Sequence, residues 1–432
     1  MKKIEKKNVL VFPGGTEIGL EIWNSLKDCK EVNLFSAGSP VSNHAPYVFH
    51  NHSIIPEVKK AGWLDELNSL IKKFSIDYIF PAHDDVIVAL AQNSVKVRSK
   101  IISSPLRTCL ITRSKSETYN TFKSLLPVPK LFHKVSDIKS FPVFVKPDKG
   151  QGSQDAELVK DLDSLKYLLK NKPELIILEY LNGKEYTVDC FSHREKGLLF
   201  CGGRERIRTR NGISMNSKPV SSRINKIFNK YALTITKELE IYGAWFFQLK
   251  QDSTGKYKLL EISPRISGTM ATNRIFGVNF PLLSIYENEG FNLDILLNKH
   301  NIEIDRALIN RYKHDIDYNK VYVDLDDTLI INNKVNTQLI KFLYQAVNEG
   351  CKIILISKTE NDIQTYLRKW KIECLFDEII LLKKEDSKAN YIDPINSIFI
   401  DDSFSERKSV YCQHCIPTFD SSMIEVLMDS RV

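Results

Sequence analysis

Two sets of residues in this chain have the types and spacing for work on phosphate groups. Toward the C-terminal end, Val321-Tyr-Val-Asp324-Leu-Asp326-Asp327-Thr328 sets two acids two residues apart where an apolar run stops. Ile354-Leu-Ile-Ser357 ends a second apolar run on a hydroxyl, and Phe399-Ile-Asp401-Asp402 ends a third on two acids. If these runs are neighbouring strands, their ends gather several carboxylates in one crevice. Such a cluster repels itself unless a cation neutralises it, so the pattern implies Mg2+. A single strand-end Asp is as readily the cap of the next helix. Three matched strand ends are harder to explain that way.

The second set lies in the middle of the chain, in four segments. Phe144-Val-Lys146 ends a strand on a cation and runs into Gly150-Gln-Gly152-Ser153, a loop small enough to close over phosphates. Leu178-Glu179-Tyr180-Leu181 leads through Gly183 to Glu185. A backbone hinge there can pair with an adenine edge, and the later carboxylate can accept ribose hydroxyls. Arg204, Arg206, Arg208 and Arg210 alternate along a strand, so their guanidinium groups share one face and can hold an anion. Gln248 precedes Leu260-Glu261-Ile262-Ser263-Pro264-Arg265, in which Gln248 and Glu261 can face each other from antiparallel strands and hold Mg2+. Arg265 can then stabilise charge on a transferring phosphoryl group. Taken singly, each segment also reads as a solvated strand end, a hairpin with exposed acids or a charged strand.

Three blocks of elements must position these residues. In residues 1–105, apolar runs at 8–12, 31–36 and 77–81 alternate with helical patterns at 17–26, 63–74 and 85–92. That alternation predicts a parallel α/β sheet. The Pro13-Gly14-Gly15-Thr16 turn lacks a full GxGxxG, so it does not argue for a dinucleotide. Residues 106–312 are denser in β-type runs (144–146, 175–179, 186–192, 198–202, 245–250 and 257–262) and read as α+β. Residues 318–432 return to alternating α/β, after a linker at 315–319.

The composition narrows the function classes. The chain has 432 residues, is 43% hydrophobic and 26% charged, and carries a net charge of +8. Its cations are scattered, which argues against a nucleic-acid binder and fits anionic small substrates. No apolar run approaches the ~18–20 residues of a membrane span. The 8 Cys form no framework, and the one CxxC, Cys412 to Cys415, has no second ligand pair for zinc. A reducing cytoplasm is the expected setting. Self-association is left open.

Taken in order, the four middle segments resemble the ATP-grasp superfamily, in particular the branch related to carbamoyl-phosphate synthetase, over roughly residues 8 to 310. The resemblance implies a Rossmann-like pre-ATP-grasp domain followed by an ATP-grasp fold. It implies that Lys146, with the Gly152-Ser153 loop, meets ATP phosphates. Glu179, Tyr180 and Leu181 would frame adenine, and Glu185 would hold the ribose. Gln248, Glu261 and Ser263 would hold Mg2+, with Ser263 replacing the family's usual Asn, and Arg265 would serve catalysis. Asn273 and Arg274 would lie on the substrate side, with Arg204, Arg206 and Arg208. The last block resembles the haloacid dehalogenase superfamily, a second Rossmannoid α/β fold. That implies Asp324 as nucleophile, Asp326 as acid and base, and Asp324, Asp326, Asp401 and Asp402 around Mg2+. Thr328 and Ser357 would support phosphate. A lysine is also required: Lys388 is the choice, with Lys383 and Lys384 as alternatives. Together the resemblances imply a bifunctional enzyme, an ATP-dependent carboxylate–amine ligase joined to a Mg2+-dependent phosphatase acting on a related, phosphorylated small molecule. The alternative is an ATP-grasp kinase with a non-catalytic last block.

Overall fold

The computed structural model describes residues 5–150, 152, 155–298, 301–359 and 362–431. Two compact units divide the chain, Met1–Leu308 and Ile309–Val432. The first opens with β1 (Lys7–Phe12), α1 (Glu17–Leu26), β2 (Val32–Gly38), β3 (Asn51–Ile54), α2 (Trp63–Phe74), β4 (Tyr78–Pro81), α3 (Asp84–Gln92) and β5 (Lys100–Ile101). The strands run parallel in the order β3-β2-β1-β4-β5. A parallel sheet covered on both faces needs apolar side chains on both, and Val9, Leu10, Val11 and Ile79 are fully buried. The turn after β1 is closed by Thr16, whose Oγ1 accepts the Gly19 N–H (3.0 Å) and so caps α1.

Helices α4 (Leu106–Arg113) and α5 (Lys115–Phe122) lead into β6 (Leu131–Phe132), β7 (Val143–Pro147), β8 (Glu157–Val159), α6 (Leu162–Asn171) and β9 (Leu175–Glu179). These strands form an antiparallel sheet in the order β6-β9-β7-β8. A larger sheet follows, built from β10 (Glu185–His193), β11 (Gly197–Arg210), β12 (Ile213–Pro219), α7 (Ser222–Glu238), β13 (Gly243–Gln251), β14 (Tyr257–Ser263), α8 (Ala271–Ile275), α9 (Phe280–Asn288) and β15 (Ile304–Asp305). Its strand order is β14-β13-β10-β11-β12-β15. One face of this sheet is apolar: Tyr186, Val188, Cys190, Trp245, Phe247 and Leu249 pack against Phe228, Tyr231, Ala232 and Ile235 of α7. Gly203 lets α7 lie close, since a Cβ there would come within 2.4 Å of the Phe228 ring.

The second unit contains β16 (Lys320–Val323), the hairpin β17 (Ile330–Ile331) and β18 (Lys334–Val335), α10 (Thr337–Asn348), β19 (Lys352–Ser357), α11 (Ile363–Trp370), β20 (Glu378–Leu381), β21 (Ser397–Ile400), α12 (Phe404–His414) and β22 (Thr418–Phe419). Its parallel sheet runs β20-β19-β16-β21-β22. Leu339, Phe342, Leu343 and Ala346 of α10 are fully buried at helical spacing against Val321, Val323, Ile353 and Leu355.

Candidate functional site

The polar face of the large sheet is laid out in rows. Register places Glu261, Gln248, Thr187 and Arg204 side by side across β14, β13, β10 and β11. Two residues away in one direction lie Ser263, Phe246, Asp189 and Gly202. Two residues away in the other, Lys250 faces Glu185, and Arg206 Nη1 meets Glu185 Oε1 at 3.1 Å. Strand side chains alternate, so all three rows share one face and leave the other to α7.

Two cavities meet over the first row. The larger, about 450 Å³, is bounded by Gln248, Glu261, Arg204, Arg265, the start of α1 and His83-Asp84. The smaller, about 150 Å³, is bounded by Lys146, Glu179, Tyr180, Leu181 and Glu185. Gln248, Glu261, Lys115, Gly150 and Gly152 line both. Gly152 adopts φ +63°, the left-handed region that favours glycine. Ser153 lies outside the described residues.

Two lysines flank the junction, buried Lys115 on both cavities and half-buried Lys146 on the smaller one. Lys146, at the end of β7, sets its ammonium 5.9 Å from the Tyr119 ring centroid. Lys115, at the start of α5, donates to the carbonyl oxygens of Gly150 (3.1 Å) and Asp148 (3.3 Å). Burial lowers the pKa of both ammonium groups, and the Glu261 carboxylate acts against it. On the opposite wall, Arg265 donates Nε to Asp84 Oδ1 (2.6 Å) and Nη2 to Asp84 Oδ2 (3.3 Å). Ser263 Oγ donates to Asp84 Oδ1 (3.3 Å). Burial raises the pKa of the Asp84 carboxyl, but the Arg265 guanidinium outweighs it and holds the group below the usual range.

The structure separates some residues expected to act together. Arg204 and Arg206 reach the larger cavity, whereas Arg208 does not: irregular pairing with β12 between Arg206 and Arg208, and again between Arg208 and Thr209, breaks the stripe. Arg208 is exposed and pairs with Asp305 (2.5 Å). Asn273 lines neither cavity; its Nδ2 donates to Asp189 Oδ2 (2.8 Å) in the buried network beneath the sheet face. Arg274 also stays away from both, pairing with Glu21 of α1 (3.0 Å). Glu179 keeps its position at the smaller cavity while pairing with Lys258 (2.9 Å) and accepting the Lys130 N–H (2.8 Å). Sequence reasoning missed Lys115 and Asp84. The rule that reads acids at strand ends applies to Asp84, three residues past β4. Lys115 carries no such signal beyond the Ser114 cap before it.

In the second unit, β16 and β21 are parallel neighbours with Val323 opposite Ile400, so Asp324 and Asp401 emerge together. Oxygens of Asp324, Asp401 and Asp402 all lie within 4.8 Å of one another. Lys388 bridges the first two, its Nζ donating to Asp324 Oδ1 (2.6 Å) and Asp401 Oδ2 (2.6 Å). Burial raises the pKa of the Asp324 carboxyl to about 6; Lys388 pulls it down and Asp401 adds repulsion. The Lys388 ammonium is held above its ordinary value because these two carboxylates outweigh its burial. Thr328 Oγ1 donates to Asp402 Oδ1 (3.0 Å) and accepts the Asp402 N–H (2.9 Å). Ser357, at the end of β19, is buried and its Oγ accepts the Thr359 N–H (3.2 Å). Asp326 is not part of the three-carboxylate group; it sits two residues past Asp324, in an isolated bridge to Ile330. Lys383 and Lys384 are exposed, outside the cluster that Lys388 completes.

A family model described as "ATP-grasp in the biosynthetic pathway with Ter operon" matches residues 171–306. The carbamoyl phosphate synthase large chain of Clostridium perfringens is 29% identical over 157 residues, 34% of this chain. The match covers 14% of that protein, so the chain spans about a seventh of the relative's length. Among solved structures, the biotin carboxylase domain of Hydrogenobacter thermophilus 2-oxoglutarate carboxylase, bound to MgADP and bicarbonate, superposes with a TM-score of 0.58 at 14% identity, covering 68% of this chain and 72% of that one. An L-amino acid ligase from Bacillus licheniformis superposes with a TM-score of 0.53 at 16% identity, covering 68% and 76%. The family-model match lies within the first unit, and the structural likenesses show a mixed α/β fold with ATP-grasp-like neighbours. No described helix is long and apolar enough to cross a membrane.

Proposed function

We propose that the first unit is an ATP-dependent ligase that joins a small carboxylate to an amine, and that the second is a Mg2+-dependent phosphatase of the haloacid dehalogenase type. The observation that supports the ligase most directly is the Gln248–Glu261 pair, side by side on two strands where both cavities meet, with Lys115 and Lys146 on their walls. An amide oxygen and a carboxylate suit Mg2+. When bound, that ion would neutralise ATP phosphates. Lys146 and Lys115 would grip the same phosphates, the backbone at 179–181 would frame adenine, and Glu185 would meet the ribose. The acid would be activated in the larger cavity as an acyl phosphate, because a carboxylate oxygen is a poor leaving group. An amine would then displace phosphate. Arg265, fixed by Asp84, would stabilise the charge that develops.

In the second unit, three carboxylates whose oxygens lie within 4.8 Å of one another fit a hard divalent cation, and Lys388 compensates part of their charge. Asp324 would attack phosphorus, and Asp326 would protonate the departing oxygen and later activate water. Lys388, Thr328 and Ser357 would hold the phosphate.

The test is ADP release from MgATP across pools of carboxylates and amines, with Asp324→Asn silencing the phosphatase. ADP formation that needs both a carboxylate and an amine is expected. ADP formation with a single acceptor would replace the ligase by a kinase. For the second unit, hydrolysis of p-nitrophenyl phosphate is expected to vanish in Asp324→Asn; its persistence would remove the phosphatase reading.

A further inference from the structure

We infer that the acid handled by the first unit carries a second anionic group, a carboxylate or a phosphate, and that Arg204 and Arg206 read it. The inference rests on the ligase reading above. Both guanidinium groups line the larger cavity, and their side chains are only 2% and 4% exposed. Each is fixed by its own acid. Arg204 donates Nε to Asp189 Oδ2 (2.8 Å), and Nη2 to Asp189 Oδ1 (3.2 Å) and to Ser267 Oγ (3.1 Å). Arg206 pairs through Nη1 with Glu185 (3.1 Å) and donates Nη2 to the Gly212 carbonyl. Arg204 Nη1 and Arg206 Nε then remain buried with no partner among the described residues.

Net charge does not carry the argument, because Asp189 pairs with Arg204 and Glu185 pairs with Arg206 and, at 3.6 Å, with Lys250. The unmet donors do. A buried N–H without an acceptor is unfavourable, and native structures keep few of them. Two such groups, on neighbouring side chains of one strand that both line the larger cavity, call for an oxyanion there, whose lone pairs match guanidinium forks. Position says which part of the ligand this is. The residues expected around adenine and ribose line the smaller cavity, where Arg204 does not reach. Arg204 stands on β11, two strands from Gln248 on β13, so their backbones are roughly 10 Å apart at ~4.8 Å per strand. We therefore assign the group over Arg204 to a part of the acid other than the carboxyl activated beside Gln248 and Glu261, and the comparison of butyrate with glutarate tests that assignment.

The test titrates the full chain, saturated with MgADP, with butyrate, glutarate and 3-phosphonopropionate by calorimetry. Glutarate or 3-phosphonopropionate is expected to bind at least about 10-fold tighter than butyrate, and the tighter of the two names the second group. Arg204→Lys and Arg206→Lys keep the ion pairs but lose the free fork. Each is expected to weaken that binding by about 10- to 100-fold. Their thermal midpoints report that the variants are folded. Equal affinity for all three probes, no binding of any, or affinity unchanged in both variants would overturn the inference. ADP release that needs an amine but accepts butyrate as well as glutarate would sink this inference and leave the ligase standing. Selective binding without ADP release would sink the ligase reading alone.

Discussion

Lys388 is the residue on which the second unit's carboxylates depend, since its ammonium lies between Asp324 and Asp401 in a buried site. Removing one partner of a buried ion group strands the other charges. Lys388→Ala is expected to lose about 3–5 kcal/mol in urea unfolding of the second unit, with part of the loss restored by Mg2+. Asp85 gives the first unit a pH signature. Burial opposes its ionisation, but hydrogen bonds from Lys59 (2.8 Å) and Arg113 (2.7 Å) hold its pKa at about 2. A depressed carboxyl stabilises the fold above its unfolded value of ~3.9 and loses that contribution as pH falls through the folded value. Asp85→Asn is therefore expected to lower the unfolding midpoint at pH 7, and the gap to wild type is expected to shrink between about pH 4 and about pH 2. At this scale Gln248 and Glu261 were legible because their segment pairs them across two strands, whereas Arg208, Asn273 and Arg274 were named with their segments but line neither cavity. Lys115 escaped because it arrives from another element by packing that no local pattern encodes, whereas Asp84 follows a strand end as the other acids do but stands outside the four segments.

Among the elements, α7 lies on β11 because Gly203 has no side chain. Gly203→Ala would set a Cβ 2.4 Å from Phe228, forcing the helix outward. A loss of about 1–3 kcal/mol is expected, read by chemical denaturation. Apolar periodicity located most strands and helices to within a residue or two: 63–74 and 175–179 match Trp63–Phe74 and Leu175–Glu179. It failed where burial is sparse. Helix α12 was unread because only Val410 is buried along it, which leaves no apolar stripe. The Arg stripe failed for another reason, since irregularities in strand pairing are set by the partner strand β12 and not by the alternation within β11.

At the scale of the molecule, each unit has its own hydrophobic core, with Val321, Leu339 and Phe342 among the residues of one and Tyr186, Phe228 and Trp245 among those of the other. Scanning calorimetry is expected to show two transitions, with ADP plus Mg2+ raising one and Mg2+ alone raising the other. A single transition shifted by both would count against independent units. The three-block reading of the sequence rested on changes in alternation, which report sheet type. Compactness follows instead from long-range packing, such as Phe246, Phe200 and Phe80 sharing one core across two sheets.

The rows on the large sheet carry a consequence for how this chain can change. Along β10, Glu185, Thr187 and Asp189 share the polar face, the first two lining cavities, while Tyr186, Val188 and Cys190 face the core. The strand therefore works like a reading frame of two. Deleting or inserting one residue within it would exchange the faces, sending acids under α7 and aromatics into the cavities. Length variation among relatives of this protein should then enter β10 in steps of two, or be confined to the loops at its ends.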